Sequence, residues 1–258
     1  MATFLFDAHV FGPIKSRRLG SSLGLNLLST QQKVCNFDCV YCECGLTHSY
    51  KENEALYVDE QEFIQQLEDR LKVCKVDKTP IDAITFAGNG EPTLHPNFAT
   101  IIDQVVELRN QFFPNASIAV LTNGVTLKNS EIETALTKVD KAIVKLDAGT
   151  SEDIKQIDQP KRTVNVDALI DLLQKFKGPL HIQTMFLKGT VNGQIIDNTS
   201  GDSLKSWLSC IERIAPKEVM LYSLDRDTPI ETLEAVTKKE LEAIAKKVEA
   251  MNILTQVV

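Results

Sequence analysis

Along residues 59–73 the apolar side chains Phe63, Ile64, Leu67 and Leu71 recur every three or four positions. They share one face of a predicted helix, and Asp59 is placed to cap it. Residues 81–87, IDAITFA, form a short apolar block and predict a strand. The helical period returns over 97–108, with Phe98, Ile101, Ile102, Val105 and Val106 inward. The rhythm continues with strands at 117–121, 141–146, 180–187 and 218–221 and helices at 129–137, 165–176 and 202–214. A last helix opens at Thr237 with Glu240 three residues on, the form of a capping box, and 253–258 predicts a closing strand. Residues 22–30, SLGLNLLST, supply the first strand. Strands alternating with helices imply a parallel sheet of strand–helix–strand units. About six units are too few for a closed eight-stranded barrel. No Pro/Gly/Ser-rich linker and no internal repeat divides the chain, so 1–258 is expected to be one domain, with 1–34 an N-terminal segment and first strand leading into a cysteine-rich loop.

That loop is the stretch KVCNFDCVYCECG at 33–45, which holds four of the six cysteines within ten residues. The chain has 258 residues and a net charge of −7, enough for a large core and not the balance of a dedicated nucleic-acid or membrane binder. No apolar run reaches the roughly 20 residues that span a bilayer, and the short N-terminal apolar stretch, which carries Asp7, lacks the marks of a signal peptide. A cytoplasmic location is therefore expected, where structural disulfides are rare and clustered cysteines serve metal or redox chemistry. Cys35, Cys39 and Cys42 are spaced C-x3-C-x2-C. A zinc site would have to borrow Cys44 and His48, because no distant second pair exists. A catalytic dithiol would need only Cys39 and Cys42. A cubane iron–sulfur cluster held by three thiolates is the third reading, and it leaves one iron open to chemistry. Cys74, next to the end of the first predicted helix, and Cys210, within the helix 202–214, read as core thiols.

CNFDCVYC resembles the C-x3-C-x-aromatic-C signature of the radical S-adenosylmethionine (radical SAM) superfamily. Within it, GPIKSRRLGSSLG, GNGEPTLHP, KLDAG, QTMFLKG and LYSLDRDTP are similar to a branch of short iron–sulfur oxidoreductases related to wyosine-type tRNA enzymes. The resemblance implies an α/β fold, a partial (β/α)6 TIM-like barrel. It also implies a [4Fe–4S] cluster on Cys35, Cys39 and Cys42, with S-adenosylmethionine chelating the open iron and cleaved to a 5′-deoxyadenosyl radical that takes hydrogen from substrate. Tyr41 would lie against the adenine. Gly88, Asn89, Gly90 and Glu91 match the glycine–glycine–glutamate motif for the amino group, with Asn89 in place of the usual second glycine. Lys145 and Asp147 in VKLDAG, and Gln183, are implied as further cofactor contacts; Asn123, in the turn TNG that ends a predicted strand, is a further candidate to reach the ligand.

Alternation supports part of this independently. If Val144 and Leu146 face the helices, Lys145 and Asp147 face the barrel interior, where charge is costly unless used or paired. Arg17, Arg18 and Arg226 are candidates to grip an anionic substrate group, and His95 reads as structural. The electron would come from a partner such as a flavodoxin or a reductase. A non-catalytic metal or electron-carrying module is the rival class. Among enzymes, tRNA modification, glycyl-radical activation and small-molecule or peptide modification stay open. The wyosine-type relatives carry extra cysteines upstream of the signature, and this chain has none before Cys35.

Overall fold

A computed structural model describes residues 4–47, 56–226 and 228–258. The main sheet has eight strands in the order β1 (Val10–Ser16), β2 (Gly20–Leu25), β3 (Ala83–Phe86), β4 (Ser117–Thr122), β5 (Lys141–Lys145), β6 (Leu180–Met185), β9 (Glu218–Tyr222) and β11 (Leu254–Val257). Only β1 runs antiparallel to its neighbour; every other pairing is parallel. The sheet curls into a half-barrel. Its crossovers are α1 (Glu60–Val76), α2 (Phe98–Phe112), α3 (Ser130–Thr137), the pair α4 (Ser151–Ile157) and α5 (Val166–Lys175), α6 (Gly201–Ile214) and α7 (Lys238–Glu249). The caps are where the pattern put them. Asp59 accepts from the main-chain N–H of Gln61 and Glu62, and Thr237 and Glu240 form the reciprocal box.

Successive strand residues point to opposite faces. Val120, Val144 and Ile182 join the large core between sheet and helices, which also takes Phe63, Leu67, Phe98 and Ile101. Ala119, Ile143 and Met220 face the other way and form a small plug inside the half-barrel, with Leu19 and Leu121 against it. The interior is therefore filled at its base and open above.

Four features differ from the pattern-based expectation. β1 lies in the N-terminal segment, where no strand is predicted; it is an edge strand with a register shift between Phe11 and Ile14, the setting in which a strand tolerates Pro13. β2 stops at Leu25, where the Asn26 side chain turns to bond the main chain of Leu28. The predicted strand 180–187 splits at Phe186, and its continuation, β7 (Leu187–Val191), enters a separate antiparallel sheet with β8 (Gln194–Asp197) and β10 (Leu233–Ala235). α4, at seven residues, is too short to show a period.

Trp207 on α6 locks the strand ends that matter. It is fully buried, its indole N–H donates to Leu146 O (3.0 Å) and Thr184 Oγ1 (3.1 Å), and Phe186 meets it edge-on. Trp207→Ala should cost about 3–5 kcal/mol of stability, read from denaturant unfolding; a loss below about 1 kcal/mol would show that the site tolerates collapse.

Candidate active site

Parallel strands bring their C-terminal ends to one rim, and the loops leaving β2, β3 and β4 with the end of β5 enclose a cavity of about 320 Å³ there. Cys35, Cys39, Cys42 and Cys44 line it, with Tyr41, Gly88, Gly90, Glu91, Asn123, Lys145 and Gln183. The cysteine loop is held by main-chain bonds: Val34 N–H to Asn89 O (2.8 Å), Glu91 N–H to Val34 O (3.0 Å) and Val40 N–H to Ile157 O (2.9 Å). Gly90 permits the first two. Its φ is +143°, and a Cβ there would sit 1.9 Å from Val34 O.

The thiols are soft donors in protected surroundings. Burial pushes Cys35 up to about 12, with Glu91 adding to the rise. Burial likewise holds Cys39 well above the usual thiol range. Cys42 is lowered to about 6, chiefly by the hydrogen bond from the Cys44 thiol, with Lys33 helping against burial. Cys44 is raised in turn by that bond, and its Sγ also lies 3.8 Å from Gly88 O. Among the described residues no three His, Cys, Asp or Glu side chains converge on a single ion. A four-iron cluster is wider and takes its thiolates at separate corners. Three thiols on one cavity wall fit that group, and binding would release the protons that burial retains. His48, the donor a zinc site would borrow, lies outside the described residues.

Glu91 is buried, and protein donors surround its carboxylate. Oε1 accepts from Thr93 N–H (3.2 Å), Thr93 O–H (2.5 Å) and Thr122 O–H (2.7 Å), and Oε2 accepts from Asn123 N–H (2.7 Å). Burial still raises its pKa against these bonds. Among the described residues Oε2 accepts one bond, which leaves acceptor capacity on the atom.

Lys145 is the buried cation. Its ammonium donates to Tyr41 Oη and to the Asp147 carboxylate and lies 2.5 Å from Asp158 Oδ1. Tyr41 O–H donates to Asp147, and Asp147 also accepts from Met185 N–H (2.9 Å). Asp147 is fully buried beneath the cavity and does not line it, whereas Lys145 does. Burial alone would lower the Lys145 pKa; Asp147 and Asp158 outweigh it and hold the group well above the usual range.

Residues 31–197 match the family model described as Radical SAM superfamily. The chain belongs to the radical SAM superfamily. It is 30% identical over 226 residues to UPF0026 protein slr1464 of Synechocystis, covering 86% of this chain and 77% of the relative. It is 32% identical over 245 residues to a protein named GTPase Obg from Brachyspira hyodysenteriae, covering 93% of this chain but 33% of that one. A UPF0026 protein of Helicobacter pylori is 29% identical, with 66% of its length covered, so the chain spans from a third to about two-thirds of these last two relatives. Solved structures share the fold, two of them among the most similar. A radical SAM methyltransferase from Sphaerobacter thermophilus has a TM-score of 0.69 at 15% identity over 92% of this chain and 65% of that one. Streptococcus suis SuiB bound to S-adenosylmethionine has a TM-score of 0.62 at 13% identity over 91% of this chain and 50% of that one. The chain is thus a radical SAM enzyme, and the family implies both the cluster and S-adenosylmethionine.

The remaining radical SAM candidates separate by position. Arg18 lines the cavity: its Nη1 donates to Gln183 Oε1 (2.5 Å), its guanidinium lies 4.9 Å from the Tyr222 ring centre, and Gln183 Nε2 donates to Tyr222 Oη (2.9 Å). Arg17 instead pairs with Asp225 (3.2 Å) and Arg226 with Glu43 (2.5 Å); both arginines are exposed and neither lines the cavity. The Asn89 side chain is fully buried on the far side of its loop, donating to Phe6 O and Ser29 O and accepting from Phe6 N–H. Asn123 lines the cavity and donates to Asn36 Oδ1 (2.6 Å). His95 is buried against Val58 O, and Cys74 and Cys210 lie in the core.

Sequence reasoning missed Lys33, Asp158 and Tyr222. Lys33 is nearly buried, donates to Gly45 O (2.8 Å) and pairs with Asp38 (3.2 Å). Burial opposes its charge, but Cys42, Cys35, Cys39 and Asp38 outweigh burial and raise its pKa. A lysine two residues before the first cysteine was the available signal. Asp158 and Tyr222 carried no local signal.

Glu91→Gln would set an amide N–H₂ against donors, so stability should fall by about 1–3 kcal/mol and S-adenosylmethionine affinity should fall with it, both read by calorimetry. Unchanged affinity would put the ligand elsewhere.

Asp158 gives a pH signature. Burial drives it from its ordinary 3.8 to about 7, with Lys145 pulling down and Asp147 adding to the rise. The native state therefore holds a proton that the unfolded chain releases between those values, so this contribution to stability is complete below pH 3.8 and is lost as pH rises through 7. Asp158→Asn should flatten the fall in unfolding free energy across that window in metal-free protein. An unchanged slope would place the titration on another group.

Proposed function

We propose that this enzyme holds a [4Fe–4S] cluster on Cys35, Cys39 and Cys42, binds S-adenosylmethionine beside it, and takes a hydrogen atom from a substrate that carries an anionic group. When bound, the cluster supplies the electron that cleaves S-adenosylmethionine to methionine and the hydrogen-abstracting 5′-deoxyadenosyl radical. The observation that carries the reading is one cavity lined by Cys35, Cys39 and Cys42 together with the Cys44 thiol, the Glu91 carboxylate and the Arg18 guanidinium.

Each residue has a separable task. Glu91, whose Oε2 accepts a single bond among the described residues, would hold the ammonium of the methionyl group, a charge-assisted interaction worth roughly 1.5–3 kcal/mol. Tyr41 presents its ring to the cavity because its hydroxyl is tied to Asp147 and Lys145. Asp147 is a positioning residue. Arg18 grips a carboxylate or phosphate of the substrate, a task for which a guanidinium fork is suited, and Gln183 and Tyr222 hold it in place. Arg17 and Arg226, paired at the surface, drop out of that role.

Anaerobically reconstituted protein with dithionite and S-adenosylmethionine should release 5′-deoxyadenosine slowly. Cys39→Ala should release none, and Arg18→Ala should keep this uncoupled release while losing any stimulation by small anionic molecules of a cell extract. Release by the reconstituted protein no greater than by Cys39→Ala would remove the reading.

A further inference from the structure

A second concavity, of about 610 Å³, lies behind the cysteine loop. Its floor is apolar, with Leu94, Val125, Val164, Leu169 and Leu172. Among the described residues its rim carries the exposed cations Lys128, Lys161 and Arg162, and no acidic residue lines it. That is a local inversion of charge on a chain whose net charge is −7.

The groove meets the cysteine loop at Asn36 and Phe37. Phe37, between Cys35 and Cys39, lines both this groove and the thiol cavity. Main-chain contacts make the link rigid: Phe37 forms an antiparallel bridge to Pro160, and Lys161 N–H donates to Asn36 O (2.9 Å). Phe37 N–H itself donates to the Cys35 thiol (3.4 Å). A body seated on the groove would thus contact Phe37, the side chain that also lines the thiol cavity.

We propose that this groove docks an acidic one-electron carrier protein, the partner that the proposed function requires and on which this inference rests. The carrier's reduced flavin or iron–sulfur centre loses one electron, and the cluster on the three cysteines gains it. No covalent bond forms or breaks in that step. Charge complementarity selects the occupant. The chain's net charge of −7 disfavours an acidic partner in general, whereas the rim cations attract one and the apolar floor supplies contact area. A nucleic acid would gain little here, because three cations offer few phosphate contacts and the apolar floor matches none.

Rim charges act mainly on encounter rate and salt dependence, so the test separates carrier from chemistry. Reconstituted wild type and the Lys128→Glu/Lys161→Glu/Arg162→Glu variant are compared for 5′-deoxyadenosine release driven by dithionite, and again driven by an acidic flavodoxin kept reduced. Arg162→Glu alone is carried as a milder variant. Flavodoxin affinity is measured directly by interferometry. The dithionite-driven rate should be unchanged. The flavodoxin-driven rate and affinity should fall about ten-fold or more at low salt, and the difference should vanish near 0.5 M salt as screening erases the wild-type advantage. Variants that keep the full flavodoxin-driven rate would overturn the docking surface and leave the enzyme reading intact. A variant that loses affinity for bulk tRNA while keeping the flavodoxin-driven rate would reassign the groove to nucleic acid and overturn it too. Equal loss under dithionite would show that the groove serves the cavity itself, which also overturns it. Wild type with no dithionite-driven release would remove the proposed function, and this inference with it.

Discussion

The site depends on one buried cation. Lys145 sits at the end of β5 among Tyr41, Asp147 and Asp158, which come from three other places in the chain: the cysteine loop, the loop after β5 and the end of α4. A charge in that position is tolerated only while all its partners are present, and removing one partner of a buried pair typically costs about 3–5 kcal/mol. The arrangement therefore acts as a latch. It fixes Tyr41, and with Tyr41 the third cysteine beside it, to the rigid parallel sheet. Asp147 extends the latch to β6 through Met185 N–H.

A second clamp braces the opposite side of the cavity. Glu91 ties its own loop to the ends of β3 and β4 through Thr93, Thr122 and Asn123, while the Val34–Gly90 main-chain pairing ties that loop to the cysteines. Two clamps on two sides of one cavity give a preorganised wall of thiols. Loops otherwise supply little rigidity, so this bracing is what allows three thiols to meet a cluster with little reorganisation. It also explains why the small inner core of Ala119, Ile143 and Met220 suffices: the barrel is plugged below and braced above.

Much of this was legible in the sequence because it follows local rules. The period of 97–108 fixed a helix face, and the C-x3-C-x2-C spacing singled out three thiols that do line one cavity. The alternation of KAIVKLDA put Lys145 on the face opposite Val144, and the structure has Val144 in the outer core and Lys145 at the cavity. What escaped was set by tertiary partners. Asp158 matters only because α4, invisible to periodicity, ends beside Lys145. Arg17 and Arg18 are indistinguishable by composition, but they are adjacent in the tight connection between β1 and β2, so one faces solvent and the other the barrel. Asn89 matches a cofactor motif by position, yet its side chain is used to hold Phe6 and Ser29.

The central claim is that three protein thiolates hold a cluster with one iron left for S-adenosylmethionine. Electron paramagnetic resonance of the dithionite-reduced, reconstituted protein tests it most directly, recorded with and without S-adenosylmethionine in wild type and in Cys44→Ala. The account predicts a reduced-cluster signal whose g-values shift on adding S-adenosylmethionine, in both proteins alike. A signal indifferent to S-adenosylmethionine, or a cluster lost in Cys44→Ala, would mean four protein ligands and would contradict it.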